Sequence, residues 1–357
     1  MNATHIKNRY GLLFALLLML ATPAVWAETL DYAKKKELNH TFKVNANDQL
    51  QIENRYGNIT ITHWDKKEVA IQVIVESTAR SESEAQKGLD RVDVELRQSG
   101  NTVYGITLLK IQADRNDNRI NINYYISMPS KLSASLSQKY GNINLPDKNE
   151  GEYKMEVKYG NIVAGSFTAP LSIEAGYSNI KLEDVKNLQL DVAYSGNVAI
   201  NNGDIMRIDS KYSNLNIRNI SQLIIDKKYG NLQVQNVDKM SIDVKYSQCS
   251  VGRIKDELNV QSLSYSTLTV KELSTGFSRV RAESHYGNLN LSISSNASFK
   301  VNAKSIKYGA ADIKGFKITD TSIENKVDYY YQINGGSSSS VIDFEGNNYG
   351  NLHINAL

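Results

Sequence analysis

The chain has 357 residues, with 41 Lys plus Arg against 38 Asp plus Glu and a single cysteine, Cys249. This near-neutral balance excludes the electrostatic footprint of a binder of nucleic acid or anionic membrane surface, and one cysteine excludes an internal disulfide. The five histidines (His5, His40, His63, His285, His353) are scattered without metal-ligand spacing, which leaves no zinc or haem signature.

In chain order, residues 1–27 read as a cleaved secretory signal: Lys7 and Arg9 in front, an apolar run over 11–20, then Val25-Trp26-Ala27 as a small-residue cleavage site before Glu28. The run is shorter than the roughly 20 residues a spanning helix needs, so the mature chain is expected to be exported without a transmembrane segment. No cysteine follows the signal at a lipidation site. Removing Lys7 and Arg9 leaves 39 basic against 38 acidic side chains, a net charge of +1.

Residues 28–131 read as a small mixed α/β capping region. Alternating runs at 49–54 and 59–63 flank Tyr56-Gly57-Asn58-Ile59, and 69–75 is a further strand. Ser81 with Glu84 forms a capping-box signature ahead of Ala85, Leu89 and Val92, which predicts one short helix. A hairpin is expected over 92–98 and 102–108 around Ser99-Gly100-Asn101, then a long strand over 118–128 before Pro129. Such a segment would cover strand edges that otherwise invite aggregation.

Residues 132–357 are organised by a repeat. Tyr140, Tyr159, Tyr177, Tyr194, Tyr212, Tyr229 and Tyr246 follow one another at steps of 19, 18, 17, 18, 17 and 17 residues, Tyr265 follows at 19, and Tyr286, Tyr308 and Tyr349 continue at steps of 21, 22 and 41. With Tyr56, twelve of the 21 tyrosines mark the same position. A fixed period of this size signals stacked supersecondary units. Apolar residues stand four before the tyrosine (Met155, Ile173, Leu190, Ile208, Ile225, Ile242), two before it (Val157, Ala175, Val192, Val244), and three and five after it (Ile180 and Leu182, Leu215 and Ile217). Strand alternation makes these the inward row and places the tyrosine at its end, also facing in. One unit cannot fold alone: burying about seven apolar side chains contributes roughly 10–20 kcal/mol, while ordering about 17 residues of backbone costs on the order of 17–35 kcal/mol. The expected architecture is an all-β parallel β-solenoid with coils of 17–19 residues, right-handed by the usual crossover preference.

Gly and Ser alternate after the tyrosine, so the left-handed conformation of the turn is assigned to the next residue, Asn142, Asn161, Asn179, Asn214 or Asn231, which would also stack into an amide ladder. Between 325 and 345 the sequence predicts a two-strand insertion carrying Tyr329, Tyr330, Tyr331 and a Gly-Ser loop, with 349–354 as the last strand or cap. The tyrosine triplet either packs on the last coil or offers a binding face.

The outward columns carry acids three before the tyrosine (Glu156, Glu174, Asp191, Asp209, Asp226, Asp243, Glu283) and lysines just before it (Lys139, Lys158, Lys211, Lys228, Lys245, Lys307). Most of this face should pair with itself and contribute little to stability. Glu174 and Asp191 differ, because Gly176 and Ala193 replace their lysines. These two are the candidate metal site, with Ca²⁺ the cation suited to such carboxylates. The other readings are a plain acidic patch and, with carboxyls about 5 Å apart, glycoside cleavage. No Ser-His-Asp set, phosphate-cradling loop or metal motif points to an enzyme.

At Tyr-Gly-Asn-Ile, and over 50–75 followed by the Ser81 helix, the chain resembles a bacterial domain-of-unknown-function family of exported, adhesin-like β-solenoids. It is similar to the head-GIN domain of candidate autotransporter adhesins. The resemblance covers most of the mature chain and implies the periplasm or cell surface of a Gram-negative bacterium; its motifs are structural and transfer no catalytic residue. The resulting expectation is a non-enzymatic cell-envelope binding or scaffold protein with a surface protein or glycan as partner, no nucleic acid, and no cofactor beyond the candidate Ca²⁺. The alternatives are a polysaccharide-acting β-helix enzyme and an envelope assembly factor.

Overall fold

The computed structural model describes residues 32–110, 119–335 and 339–357; the expected signal segment lies outside them. Among these residues the chain is all-β apart from one helix, and its strands join in one mixed sheet. The helix Glu82–Asp90 begins where the Ser81 hydroxyl accepts from the Glu84 amide, the cap the sequence signals, and buries Ala85 and Leu89.

The N-terminal strands are layered onto the first repeat unit. Val92–Ser99 and Thr102–Leu109 form the expected antiparallel hairpin. A strand the alternation did not reveal, Tyr32–Lys43, pairs antiparallel with Glu68–Ala79, which pairs antiparallel with Arg119–Met128. The Tyr56 unit then lies between two layers. Gln49–Arg55 has Thr102–Leu109 on one side and Ser133–Lys139 on the other; Ile59–His63 has Arg119–Met128 and Ile143–Asn144.

Beyond that unit the repeat strands pair in parallel with their core positions aligned, and the register shifts locally between Phe167 and Pro170, Val260 and Leu263, and Val270 and Leu273. Met155 lies opposite Ile173, Ile173 opposite Leu190, Leu190 opposite Ile208 and Ile208 opposite Ile225. After the corner, Ile162, Ile180, Val198 and Leu215 align in the same way. These side chains belong to a single core that continues through the N-terminal layers. A purely parallel arrangement is corrected at both ends, where the sheet closes with antiparallel strands.

The C-terminal segment re-enters the stack. Val341–Asn347 is parallel to Arg279–His285 on one side and to Phe299–Lys304 on the other, and Asn351–Ala356 lies between Asn288–Ile293 and Ala311–Lys314. Thus 341–345 belongs to the stack rather than to an insertion, and of the two readings of 349–354 the last strand holds, paired on both sides rather than capping the end. Ile342 and Phe344 alternate inward and are buried like the core positions of other units, which is why this stretch joins the repeat. What stands outside is Asp328–Ile333, antiparallel to both Phe299–Lys304 and Ile318–Glu324. The strand Ile318–Glu324 is exposed along its whole length.

The corner differs from expectation in a way that defines the unit. The tyrosine, not the asparagine, holds the left-handed conformation: φ is between 50° and 63° at the ten repeat tyrosines from Tyr56 to Tyr286. Two successive residues therefore face solvent, and the alternation slips by one position. Around Tyr177, Ile173 and Ala175 point in, Tyr177 points out, and Ser178, Ile180 and Leu182 point in. The expected inward tyrosine is thus an outward one, and the Gly or Ser after it lies inside.

That inward corner must satisfy buried backbone polar groups. Where serine follows the tyrosine, its hydroxyl donates to the carbonyl two residues upstream, Ser178 to Gly176 at 2.8 Å and Ser247 to Lys245 at 2.9 Å. The serine hydroxyl also accepts a neighbouring amide, as Ser213 does from Ser195 at 3.0 Å. Glycine stands where backbones approach most closely: a Cβ on Gly160 would lie 1.8 Å from the Gly141 carbonyl oxygen. Several glycine corners borrow a buried polar side chain from two residues before the tyrosine. Gln138 donates to the Gly57 carbonyl at 2.8 Å, Ser284 to Gly287 at 2.9 Å, and Lys227 to Ser213 at 2.6 Å and Tyr229 at 2.9 Å.

Lys227 is fully buried. Burial pulls its ammonium from 10.5 down to about 8, with the nearby Cys249 opposing weakly. Between those values the unfolded chain holds a proton that the folded chain has shed, so this residue makes stability rise with pH across that window. Lys227→Gln keeps a donor, as Gln138 does in its own unit, and removes the charge. The Tm advantage of the variant over the native chain should shrink as pH goes from 8 to 10.5; an advantage constant across the window contradicts a buried titrating ammonium.

Candidate functional site

The structure brings the two predicted acids together. Glu174 and Asp191 are register partners on adjacent strands, with Glu156 beyond the first and Asp209 beyond the second. Lys158 aligns with Gly176 and Lys211 with Ala193, so the gap in the lysine column is flanked on both sides. Lys158 bonds Glu156 at 3.1 Å, and its ammonium is pushed up first by that bond and charge, with Glu174 adding to the effect. Three further acids pair within their own units, Asp209 with Lys211 at 3.4 Å, Asp226 with Lys228 at 3.0 Å and Asp243 with Lys245 at 3.8 Å. Among the described residues no group of three or more His, Cys, Asp or Glu is placed to hold a metal ion. Cys249 is buried, and burial pushes its thiol up to about 12, in keeping with a small core residue.

Tyr329 and Tyr331 share one side of their strand with centroids 6.5 Å apart and pack against the core. That is the packing reading of the triplet.

The feature that sequence reasoning placed on the wrong side is an exposed row of tyrosine rings. Twelve tyrosine rings form one row, in the spatial order Tyr56, Tyr140, Tyr159, Tyr177, Tyr194, Tyr212, Tyr229, Tyr246, Tyr265, Tyr286, Tyr349, Tyr308. Centroids from Tyr56 to Tyr286 are 4.6–5.3 Å apart with planes within 11°, and the last two steps are 5.4 Å at about 30°. Each ring is 39–60% exposed. Eleven steps of about 5 Å, close to the spacing of adjacent strands, give a stripe on the order of 55 Å long.

Tyr349 completes the row only because the C-terminal segment enters between the Tyr286 and Tyr308 units. Each left-handed tyrosine costs about 1 kcal/mol or more of backbone strain, and each stacked pair returns roughly 0.5–1.5 kcal/mol. The two terms are of similar size, so the stack offsets the corners it requires.

Beside the rings run the expected asparagines. Asn142 donates to Asn58 at 3.0 Å, Asn161 to Asn142 at 2.8 Å and Asn179 to Asn161 at 2.9 Å. Further along, the Asn197 amide N–H donates to the Asn179 side chain at 3.1 Å, and that of Asn231 to Asn214 at 3.1 Å. A shallow groove follows this border past Tyr246, Tyr265 and Tyr286, with Gln248, Thr267 and Asn288 on its other wall. The opposite border is the lysine column; Lys139 lies 5.4 Å from the Tyr140 ring centre and Lys307 5.6 Å from that of Tyr308.

No family model and no curated protein matches the sequence. Among solved structures, the chain is similar to a candidate cell-adhesion protein from Clostridium sporogenes (13% identity, 91% of this chain and 100% of that one, TM-score 0.20). It is also similar to a candidate adhesin from Bacteroides fragilis (13%, 73% and 98%, TM-score 0.32) and a candidate lipid-binding protein from Parabacteroides distasonis (11%, 72% and 93%, TM-score 0.28). Similarity at this level says nothing of a shared ligand. Among the described residues no helix is long and apolar enough to cross a membrane.

Within the row, desolvation raises the Tyr212 phenol first, and the neighbouring phenols of Tyr229 and Tyr194 raise it further. Burial also pushes Tyr124 up to about 12. The fold favours the neutral phenol, so this stabilisation is complete below pH 10 and is lost as pH rises through the folded values. Phenolate absorbance should appear at higher pH in the native chain than in the same chain unfolded in urea, with Tm falling from pH 10 upward. Coincident titration curves would contradict raised phenols at Tyr212 and Tyr124.

Proposed function

We propose that this chain is an exported, non-enzymatic β-solenoid of a Gram-negative cell envelope, adhesin-like or scaffolding in role, whose binding face is the tyrosine and asparagine stripe. The observation that carries the reading is the unbroken exposed row of twelve rings. A protein surface seldom exposes a contiguous aromatic feature of this length without using it. Parallel pairing with aligned core positions from the Tyr140 unit onward supports the solenoid, and the charge and apolar pattern of residues 1–27 supports export.

In this reading residues 28–131 cap one end and contribute the first ring, Tyr56, and 132–357 carry the rest of the repeated face. Acids and lysines that neutralise one another within their units suit a face whose chemistry lies in its hydroxyls and amides, rather than a hydrolytic pair.

Two measurements test it. Full-length chain expressed in Gram-negative cells should be recovered outside the cytoplasm with Glu28 as its new N-terminus; retention of residues 1–27 in the cytosol contradicts export. The purified mature chain should co-sediment with isolated bacterial envelopes. Tyr194→Ala, Tyr212→Ala and Tyr229→Ala together should reduce that at least tenfold, while Lys239→Ala on a separate column leaves it unchanged. Equal sedimentation of the triple variant, shown to be folded by circular dichroism, would remove the stripe as the binding face.

A further inference from the structure

Resting on that assignment of the binding face, the chemistry of the stripe narrows what it can hold. The rings lie against one another, with planes within 11° from Tyr56 to Tyr286. Their faces are therefore taken up by the stack itself, and what reaches solvent is a comb of ring edges and phenol hydroxyls. Stacking of a sugar, a base or a cation on an aromatic face is blocked along the row. A purely apolar partner is disfavoured too, because it would strip water from a hydroxyl at every rung and return no hydrogen bond.

The partner must then offer hydrogen-bonding groups in a line, and the spacing selects among polymers. Successive rungs are about 5 Å apart (4.9 Å from Tyr159 to Tyr177, 5.0 Å from Tyr177 to Tyr194). An extended peptide advances about 3.3 Å per residue and about 6.7 Å between side chains on one face, so it falls out of step within two or three rungs. A nucleic acid strand advances about 3.4 Å per nucleotide and needs basic neutralisation. Four of the six lysines along the border are already bound to Glu156, Asp209, Asp226 and Asp243. Successive residues of an extended, neutral β-1,4-linked pyranose chain advance by close to one rung and alternate in facing, so a given hydroxyl returns to the row at every second rung and the chain stays in step. The amide ladder on the other border, with Asn179, Asn197, Asn214 and Asn231 exposed, supplies the donors and acceptors suited to neutral hydroxyls.

We propose that the tyrosine stripe binds an uncharged, extended β-linked polysaccharide lying along the stack, one sugar residue per rung. Each rung contributes weakly, and affinity accumulates with the number of rungs engaged.

Isothermal titration calorimetry of the mature chain tests this with cello-oligosaccharides and chito-oligosaccharides of two to six residues, and with polygalacturonate as an anionic polymer. In at least one β-1,4 series, affinity should rise tenfold or more from dimer to hexamer and exceed that for polygalacturonate. The triple variant Tyr194→Phe, Tyr212→Phe, Tyr229→Phe, which keeps the stacked rings and lacks three hydroxyls, should lose at least tenfold in hexamer affinity at unchanged Tm. Hexamer affinity equal to that of the dimer, a phenylalanine variant that binds like the native chain, or preference for polygalacturonate would each overturn the proposal. So would absence of binding to both series. In that last case, envelope sedimentation that still depends on the tyrosines keeps the binding face and assigns it another partner, such as a protein lost on protease treatment of the envelopes.

Discussion

A tyrosine held at positive φ at the corner of ten units, from Tyr56 to Tyr286, is the constraint on which the rest of the structure depends. It slips the alternation of side chains by one position, so that a strand whose even positions face inward before the corner has its odd positions inward after it. The apolar residues two and four before the tyrosine, and those three and five after it, then meet in one core. The same slip turns the ring outward, where the next unit places an identical ring against it. Corner and ladder are one device: the backbone strain of each unit is offset by contact with its neighbours, which ties each unit to its place in the stack.

The period, the inward columns, the capping helix, the hairpin and the asparagine ladder were all legible in the sequence, because each is local or repeats at fixed spacing. The outward tyrosine was also encoded. Apolar positions at even offsets before Tyr177 (Ile173, Ala175) and odd offsets after it (Ile180, Leu182) cannot all face inward unless the phase changes between them. Reading the two halves separately hid that conflict and sent the left-handed residue to asparagine, the commoner choice. Lys227 escaped notice for a related reason. A lysine at an inward position looks like an interruption until its partners, the Ser213 and Tyr229 carbonyls, are in view. The return of Val341–Asn347 between earlier strands was beyond local patterning, since nothing in the period says in which order units stack.

Layering at the two ends follows from the same need to occupy strand edges. At one end the hairpin and the antiparallel strands cover the Tyr56 unit, whose own strands would otherwise be open. At the other the chain passes the Tyr308 unit, builds an antiparallel pair beyond it, and then returns to fill the gap it left. This re-entry extends the aromatic row to its full length and is the clearest link between the topology and a surface role. The candidate acids Glu174 and Asp191 share a register position at a gap in the lysine column, where Gly176 and Ala193 stand, while the hydroxyl comb runs the length of the stack.

The central claim is that adjacent rings hold adjacent units in register, and a double-mutant cycle on Tyr212 and Tyr229, whose centroids are 4.6 Å apart, tests it most directly. Single and double alanine substitutions, measured by urea unfolding, should show a coupling of roughly 0.5–1.5 kcal/mol. The pair Tyr212 and Tyr265, three rungs apart, should be additive within about 0.5 kcal/mol. Additivity for the adjacent pair, or equal coupling for the distant one, would contradict a ladder that works through contact between neighbours.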